Sequence, residues 1–215
     1  MRRLTLLLSC LLLQACTQTE QGLQQSLVSA VTGPQDITLT PQQIADTPYA
    51  SLYARINHGP RIFVVLAFNE AGSQKWVTAD EAMLVTVHGR LVKTLGLKDN
   101  LQDVSNLAQD PLAQGLTLAE GAQWTRIIQW QEQGKVRADA ATSRFHRLAD
   151  STLDIAGQQV PCRVWQESVT LSATQRQWHN TFWIDNRSGE VVQAQQTLAA
   201  DDFPVETTLL KPAKS

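Results

Sequence analysis

Short runs of residues with high strand propensity, separated by turn-forming residues, dominate the chain from Tyr49 onward. A period of two places successive side chains on opposite faces of a strand, and such runs bounded by Gly, Pro, Asn or Asp predict β-strands. In the first half of the chain the pattern predicts five strands, at residues 49–56, 61–68, 74–78, 82–87 and 90–95. Because short turns join antiparallel neighbours, this half is predicted to be a meander.

The same pattern returns in the second half, at residues 124–131, 142–149, 158–171, 175–185 and 190–199. About ten antiparallel strands rarely remain an open sheet, because exposed edges leave backbone N–H and C=O groups unpaired. The chain is therefore predicted to be mainly β: a single domain of long antiparallel meander strands that forms a curved half-barrel or a barrel-like sandwich.

Two details of this sheet also follow from the residue pattern. Residues 62–68 are apolar without alternation, which predicts a strand that is covered on both faces and lies near the centre of the fold. Pro204 and Pro212 lack the N–H that a sheet ladder uses, so the tail is predicted to lie on a sheet edge or off the sheet.

Helical spacing of apolar residues interrupts the strand pattern twice. It occurs over residues 23–31 and again over 97–108, which predicts an N-terminal helix and one mid-chain helix. A further short helical turn is predicted at residues 41–45, where Thr40 can cap the first turn and Pro41 suits the first helical position.

The N-terminus has the pattern of a secretion signal. Arg2 and Arg3 precede an apolar stretch that ends in Leu13-Gln14-Ala15-Cys16, and this ending resembles the lipobox of bacterial lipoproteins. The resemblance implies removal of residues 1–15 and acylation of Cys16. A cut before Cys10 fits the local pattern too, but it would leave an apolar stretch below the usual minimum of about seven residues.

The chain is accordingly divided into a signal peptide at 1–15, an acylated Cys16 with a tether at 16–22, and one β-rich periplasmic domain at 23–215. The apolar stretch is shorter than the roughly 20 residues that a membrane-spanning helix needs. Several acyl chains together give stable anchoring, so the membrane is the predicted partner of Cys16. Thr17 follows the Cys where inner-membrane lipoproteins resembling those of enteric bacteria carry Asp, which implies the outer membrane.

Charge and cysteine content exclude several classes of function. Lys and Arg total 18 against 20 Asp and Glu, a net charge of -2, so no nucleic-acid partner is predicted. The three cysteines show no zinc-finger spacing, and we expect no metal and no cofactor. Once the signal is removed and Cys16 is acylated, Cys162 stands alone and is predicted to be a small buried apolar residue.

Catalytic signatures are missing from the sequence. It contains no G-x-S-x-G nucleophile elbow, no P-loop and no G-x-G-x-x-G dinucleotide motif. The four histidines are scattered over predicted turns and strands. We therefore expect the protein not to be an enzyme.

Four segments of the mature chain resemble a known family: PYASLYARI at 48–56, IFVVLA at 62–67, KWVT at 75–78 and VTVHGRLVKTLGL at 85–97. These segments are similar to those of the YjbF/GfcB family of enterobacterial lipoproteins. The resemblance implies a non-enzymatic accessory role in exopolysaccharide or group 4 capsule assembly or export, with polysaccharide or another secretion-system protein as partner. The family brings no catalytic motif, and only its acylated Cys maps onto a residue here, Cys16.

The tryptophans suggest where a ligand could bind, because the chain has six of them against five Phe and two Tyr. Trp124, Arg126 and Trp130 share one face of a predicted strand and are the candidate ligand-contact residues. Aromatic rings beside charged groups suit a sugar-binding groove, whereas the same rings also suit the core of a curved sheet. The sequence leaves both interpretations open.

A second functional class is a half-barrel carrier of lipid or acyl chains. A curved sheet with a lining helix can hold a hydrophobic ligand, and Trp183-Ile184-Asp185 followed by Ser188-Gly189 loosely resembles a hairpin of such carriers. An apolar cavity through the concave face would favour the carrier, whereas exposed aromatic strips with polar edges would favour the accessory binder.

Overall fold

The computed structural model describes residues 35–199 and 202–213, in which thirteen strands form one antiparallel sheet. All of these strands belong to a compact unit that begins at Ile37. The strands in chain order are β1 Ser51–Ile56, β2 Arg61–Glu70, β3 Ser73–Val77, β4 Met83–Val87, β5 Arg90–Leu95, β6 Leu101–Val104, β7 Gln123–Glu132, β8 Lys135–Arg147, β9 Ser151–Ile155, β10 Gln158–Leu171, β11 Gln177–Asp185, β12 Val191–Thr197 and β13 Pro204–Lys211.

Helical structure in the described residues is short. The helix α1 (Pro41–Asp46) precedes the sheet, and two 3₁₀ segments, Leu107–Gln109 and Pro111–Thr117, lie between β6 and β7. At the start of α1, the Thr40 hydroxyl accepts from Gln43 N–H and the Gln43 side chain accepts from Thr40 N–H, which is a capping box. The predicted short helical turn is confirmed. No helix in the described part of the chain has the length and apolarity needed to cross a membrane.

The sheet curls until its two end strands approach each other. Its order is β5-β4-β3-β2-β1-β13-β12-β11-β10-β8-β7-β6, with β9 paired to β10 beside this path. Between β5 and β6, the Thr94 hydroxyl accepts from Leu101 N–H at 2.9 Å and donates to Asn100 Oδ1 at 3.1 Å. Side-chain bonds therefore bridge these edges, and the sheet is a nearly closed barrel. The predicted fold class of curved, long antiparallel strands is confirmed.

The tail of the chain lies inside the sheet, which corrects the prediction that it would be on an edge. β13 pairs with β1 on one side and with β12 on the other. Pro204 is tolerated because it is the first residue of β13, where a missing N–H disturbs the ladder least. The pairing of β13 with β1 joins the first and last described strands, a long-range contact that no local pattern encodes.

The prediction of a mid-chain helix over residues 97–108 is wrong. Residues 101–104 form the strand β6, and the two 3₁₀ segments follow it. A register shift between Leu101 and Asp103 interrupts the pairing of β6 with β7. With this irregularity, Leu101 and Val104 are both buried although they are three positions apart. A spacing of three is also helical, so the sequence pattern was ambiguous.

Strand β2 is covered less than its sequence predicts. Val64 is buried, but its neighbours are only partly so, and Phe68 is 55% exposed. The pairing of β1 with β2 ends at Val65, so the far end of β2 pairs with β3 alone. Within the described residues, β2 has no strand partner on its β1 side at that end, although β3 pairs in turn with β4, and the prediction of cover on both faces is wrong there.

Two further predictions have different outcomes. Cys162 is buried, as predicted, and burial together with the charge of Asp185 raises the pKa of its thiol to about 11. The predicted helix over residues 23–31, the tether and Cys16 lie outside the described residues.

Candidate functional site

The three residues predicted to contact a ligand point into the barrel. From Gln123 to Trp130, β7 alternates between exposed and buried positions, and its buried face carries Trp124, Arg126 and Trp130 at 2%, 4% and 2% exposure. A polymer on the outside of the protein cannot reach these side chains. The surface-groove prediction for them is therefore wrong, and the alternative, that the rings fill the core of a curved sheet, is correct.

Arg126 belongs to a group of four buried charges, which we call the interior charge cluster: Arg90, Asp110, Arg126 and Glu167. Arg90 donates through Nη1 to Glu167 Oε2 at 2.8 Å, and through Nε and Nη2 it forms a bidentate pair with Asp110. Arg126 Nη1 lies 3.2 Å from Glu167 Oε1, in an ion-pair contact. Two positive and two negative groups thus balance in the interior.

Aromatic rings enclose the arginines of this cluster. The guanidinium carbons of Arg90 and Arg126 lie 4.5 Å and 4.2 Å from the centroid of the Trp124 ring, and Phe182 lies 5.2 Å from Arg90. Cations over aromatic faces are attracted by the ring quadrupole, more strongly when water is excluded. Trp124 also donates from Nε1 to the carbonyl of Asn106 at 3.0 Å, which fixes the ring.

Neutral polar side chains connect the cluster to its neighbouring strands. Asn180 donates to Glu167 Oε2 at 2.8 Å, and Ser143 accepts from Arg126 at 2.9 Å. Gln196 on β12 accepts from Leu91 N–H and donates to the carbonyl of Gly89, each at 3.0 Å. The two Gln196 bonds therefore connect the turn between β4 and β5 to β12.

The pKa values of the cluster follow from burial opposed by charge. Burial alone raises the pKa of Glu167, but Arg126 and Arg90 outweigh it and bring that pKa to about 2. Burial lowers the pKa of Arg126 to about 10, because its attraction to Glu167 is offset in part by repulsion from Arg90. Burial also lowers the pKa of Arg90, but the attraction of the Glu167 and Asp110 carboxylates outweighs burial. The pKa of Arg90 is therefore raised. All three groups are charged at neutral pH.

A small cavity lies beside the cluster, lined by Arg126, Asn180, Gln196 and Trp178 among others. Its volume is about 20 Å³, and a buried water needs about 10–15 Å³ and two or more polar partners. The buried Nε1 of Trp178 has no hydrogen-bond partner within the described protein atoms. One water fits this place, and an acyl chain does not.

Two of the four cluster residues had a signal in the sequence. Arg126 stands between Trp124 and Ile128 in the alternation of β7, and Glu167 stands between Trp165 and Val169 in that of β10. A charge at an apolar position in each of two strands, with opposite signs, is typical of a buried ion pair. Arg90 and Asp110 carried no such signal, because one follows a turn and the other precedes a proline.

An open cleft of about 250 Å³ lies where several turns meet, and we call it the turn cleft. Its walls come from the β2–β3 hairpin, the β4–β5 turn, the 3₁₀ segment Pro111–Thr117 and the β11–β12 turn. Its polar rim consists of Asn69, Gln74, His88 and Glu190, and its apolar floor consists of Ala113, Val191 and Leu209. None of the rim residues was predicted as a site.

Glycines allow the walls of the turn cleft to come together. A Cβ on Gly89 would lie 2.4 Å from Cβ of Val191, and a Cβ on Gly115 would lie 2.9 Å from the carbonyl oxygen of Gly189. His88 and Gly89 both have positive φ, 49° and 77°, as the predicted two-residue hairpin turn requires. The β4–β5 turn therefore packs directly on β12, and only a residue without a side chain fits there.

An apolar groove of about 400 Å³ lies between α1 and the β9–β10 hairpin, which we call the α1 groove. Ile44, Ile155, Val160 and Leu210 are among its lining residues. Within the described part of the chain, no group of three or more His, Cys, Asp or Glu side chains is placed to hold a metal ion.

Comparison with known proteins gives consistent matches. Residues 24–210 match the family described as group 4 capsule polysaccharide lipoprotein gfcB, YjbF. The chain is 49% identical to the uncharacterized lipoprotein YjbF of Escherichia coli K12 over 214 residues, with all of both chains covered. It is 45% identical to the uncharacterized lipoprotein GfcB of the same strain, over 99% of this chain and 100% of the other.

A solved structure has the same fold. It is the crystal structure of the hypothetical lipoprotein YmcC from Escherichia coli K12, with a TM-score of 0.78 and 44% sequence identity. The match covers 88% of this chain and 96% of the other.

Proposed function

The chain belongs to the YjbF family of group 4 capsule polysaccharide lipoproteins, and from this membership we propose that it is a non-enzymatic accessory in capsule or exopolysaccharide assembly or export. We further propose that acylated Cys16 anchors it in the outer membrane, with its body in the periplasm as one domain from residue 23. Its partner is the polymer or another secretion-system protein. The observation that carries the proposal is the family match, which runs through nearly the whole barrel.

The arrangement of charged groups supports a role in binding. A general acid or base must reach a substrate proton directly or through one water. Arg90, Arg126 and Glu167 instead pair with each other and with Asp110, and each is at most 4% exposed. Their charges therefore stabilise the interior, whereas polar side chains at the rim of the turn cleft are open to solvent.

Deletion of the gene tests the proposed role. In a strain that expresses the polymer operon, we expect deletion to lower the amount of polymer on the cell surface and in the medium, and a wild-type copy to restore it. The measurement is extracted polysaccharide per cell, with the levels of the other operon proteins checked by immunoblot. Unchanged polymer in the deletion strain would refute the function.

Substitution of Cys16 tests the anchor separately. We expect Cys16→Ala to remain as an uncleaved precursor that does not incorporate labelled palmitate, while Cys10→Ala is processed and labelled normally. Fractionation of the wild type should recover the labelled protein with outer-membrane markers. Labelling of Cys16→Ala, or loss of labelling in Cys10→Ala, would contradict the assignment.

The α1 groove favours a second candidate function, a carrier of lipid or acyl chains. Its volume of about 400 Å³ and its aliphatic lining suit part of an acyl chain. The filled interior at the charge cluster argues against a ligand held inside the barrel. Stoichiometric binding of palmitate that is abolished by Ile155→Asp in the α1 groove and unaffected by Ile127→Asp at an exposed site, with circular dichroism showing both variants folded, would support the carrier.

A further inference from the structure

The turn cleft combines polar side chains at its opening with an apolar floor. At the rim are the amides of Asn69 and Gln74, the imidazole of His88 and the carboxylate of Glu190. Three of these four side chains are exposed, and Gln74 is partly so. The side chains of Asn69, His88 and Glu190 are thus open to solvent, in contrast to the interior charge cluster, and Gln74 Oε1 accepts from the Thr86 hydroxyl at 3.4 Å.

The rim offers the hydrogen-bonding chemistry that hydroxyl groups require. Each amide side chain presents both donors and an acceptor, the carboxylate accepts only, and a neutral imidazole does one of each. A hydroxyl group needs this mixture because it donates once and accepts as well. Of the described residues that line the cleft, Glu190 is the one with a fixed charge, so the site disfavours an anion.

The floor supplies the complementary apolar surface. Ala113 is exposed and Val191 and Leu209 are half-buried, so their aliphatic groups are accessible to a ligand in the cleft. The C–H face of a sugar ring is apolar while its edge carries hydroxyls, so such a ring matches both parts of the cleft. Building on the proposed function, we propose that the turn cleft binds one uncharged pyranose unit of the polymer.

The size and openness of the cleft agree with one sugar ring on a longer chain. Its volume of about 250 Å³ is below the roughly 300–1,000 Å³ of sites for drug-sized ligands. The cleft opens to solvent at the hairpin and turn ends, so the neighbouring units of a polymer can extend away from the protein. A contact with a single unit is weak, but anchoring at the membrane and repetition along the polymer increase its effect.

An acyl chain fits the turn cleft less well. It would leave the amides and the carboxylate of the rim against an apolar surface without hydrogen-bond partners, and unpaired polar groups are costly to desolvate. If one lipid-like ligand binds this protein, the α1 groove is the better place for it. Palmitate is therefore the discriminating competitor in the experiment.

The test measures sugar binding to the mature lipoprotein in detergent micelles by saturation-transfer NMR. The probes are glucose, galactose and N-acetylglucosamine as neutral sugars, glucuronate as an anionic sugar, and palmitate as the competitor. We expect at least one neutral sugar to receive saturation and glucuronate to bind about tenfold more weakly than its neutral counterpart glucose, because of Glu190. If glucose does not bind, the comparison is made with galacturonate and galactose.

Variants locate the binding in the cleft. Gln74→Ala and Glu190→Ala should each weaken it about tenfold, since each removes hydrogen bonds to a sugar hydroxyl. The matched controls are Gln195→Ala and Glu206→Ala, which change exposed residues of β12 and β13 outside the cleft lining. They should leave binding unchanged, and circular dichroism should show all four variants folded.

The remaining outcomes would overturn the inference. These are no saturation of any neutral sugar, equal binding of the anionic sugar, equal binding by the cleft variants and the wild type, or displacement of the sugar by palmitate that persists in the α1 groove variant Ile155→Asp. Each of them leaves the accessory role intact if gene deletion still lowers polymer output. The opposite result, sugar binding without any effect of deletion, would instead refute the proposed function.

Discussion

The interior charge cluster and the turn cleft contain similar chemical groups in opposite environments. In the cluster, Glu167 is fully buried and contacts Arg90, Arg126 and Asn180. In the cleft, Glu190 is exposed, in the turn between β11 and β12. A carboxylate in the first region stabilises the fold through its partners, whereas a carboxylate in the second is available to a ligand.

This difference shows that residue type alone does not identify a site in this protein. Burying charges is costly, and a buried pair is compensated only when its geometry and hydrogen bonds are good. The cluster meets that condition at the bidentate Arg90–Asp110 pair and at Glu167 Oε2, while Glu167 Oε1 has, among the described residues, only its 3.2 Å ion-pair contact with Arg126. Changes in the two regions should therefore affect different properties, stability in the first and binding in the second.

The largest effect is expected for Glu167→Ala. This change leaves Arg126 without its carboxylate partner and Arg90 with only one, and breaking a buried ion pair costs about 3–5 kcal/mol. The measurement is the free energy of unfolding in urea, followed by tryptophan fluorescence. The control is Glu206→Ala, which removes a partly exposed 3.7 Å contact with Arg55 and should cost about 0–1 kcal/mol. Equal losses in the two variants would contradict the distinction between the regions.

Gly89→Ala tests the contact that joins the two regions. The new Cβ would lie 2.4 Å from Cβ of Val191, at a residue with φ of 77°. Gly72→Ala is the matched control, because Gly72 has φ of 81° and no heavy atom within 4 Å of the added Cβ. In both variants, an alanine in the left-handed region lowers the free energy of unfolding by about 1–2 kcal/mol. Overpacking against Val191 should lower that of Gly89→Ala by about 1–3 kcal/mol more. If their unfolding free energies agree, the packing of the β4–β5 turn on β12 is unimportant.

Acidification should lower the free energy of unfolding by less than the Glu167→Ala substitution does, because the protonated Glu167 side chain still fills its place in the interior. The pKa of Glu167 is about 2 in the folded protein, below its ordinary 4.5. The group therefore stabilises the fold fully above pH 4.5, and this contribution is lost as the pH falls towards 2. We expect the unfolding free energy of the wild type to fall more steeply over this range than that of Glu167→Gln. Parallel curves would exclude a depressed pKa.

The smallest effect on stability is expected for Glu190→Gln. This side chain is exposed at the rim of the turn cleft, and surface changes away from special features usually stay within about 0.5 kcal/mol. Urea unfolding should give the same midpoint as the wild type, within error. A loss as large as that of Glu167→Ala would mean that the cleft is a structural element like the cluster.

Much of the sheet could be predicted because strands and tight turns are local features. The His88-Gly89 and Asp185–Gly189 turns lie where the sequence places them, and the alternation of β7 puts Trp124, Arg126 and Trp130 on one face. Alternation says which residues share a face, but it does not say whether that face is inside. The direction of the face depends on how the whole sheet curls.

The missed elements have the same cause. β6 is short and irregular, so its apolar residues have a helical spacing, and β13 begins with a proline that usually marks an edge. Both are strands because of partners elsewhere in the chain: β7 pairs with the first, and β1 and β12 enclose the second. A window of a few residues contains no information about those partners.

Local patterns along the chain were enough to predict the strand periodicity, the turns with left-handed residues and the resemblance to a lipoprotein family. The place of β13 within the sheet, the burial of the β7 tryptophans and the contact of Arg90 with Glu167, 77 positions away, follow from the folded sheet as a whole. Local patterns depend on steric and solvation preferences of neighbouring residues. Long-range pairings depend on the closure of the whole sheet, which brings distant charges together and leaves the turn cleft open.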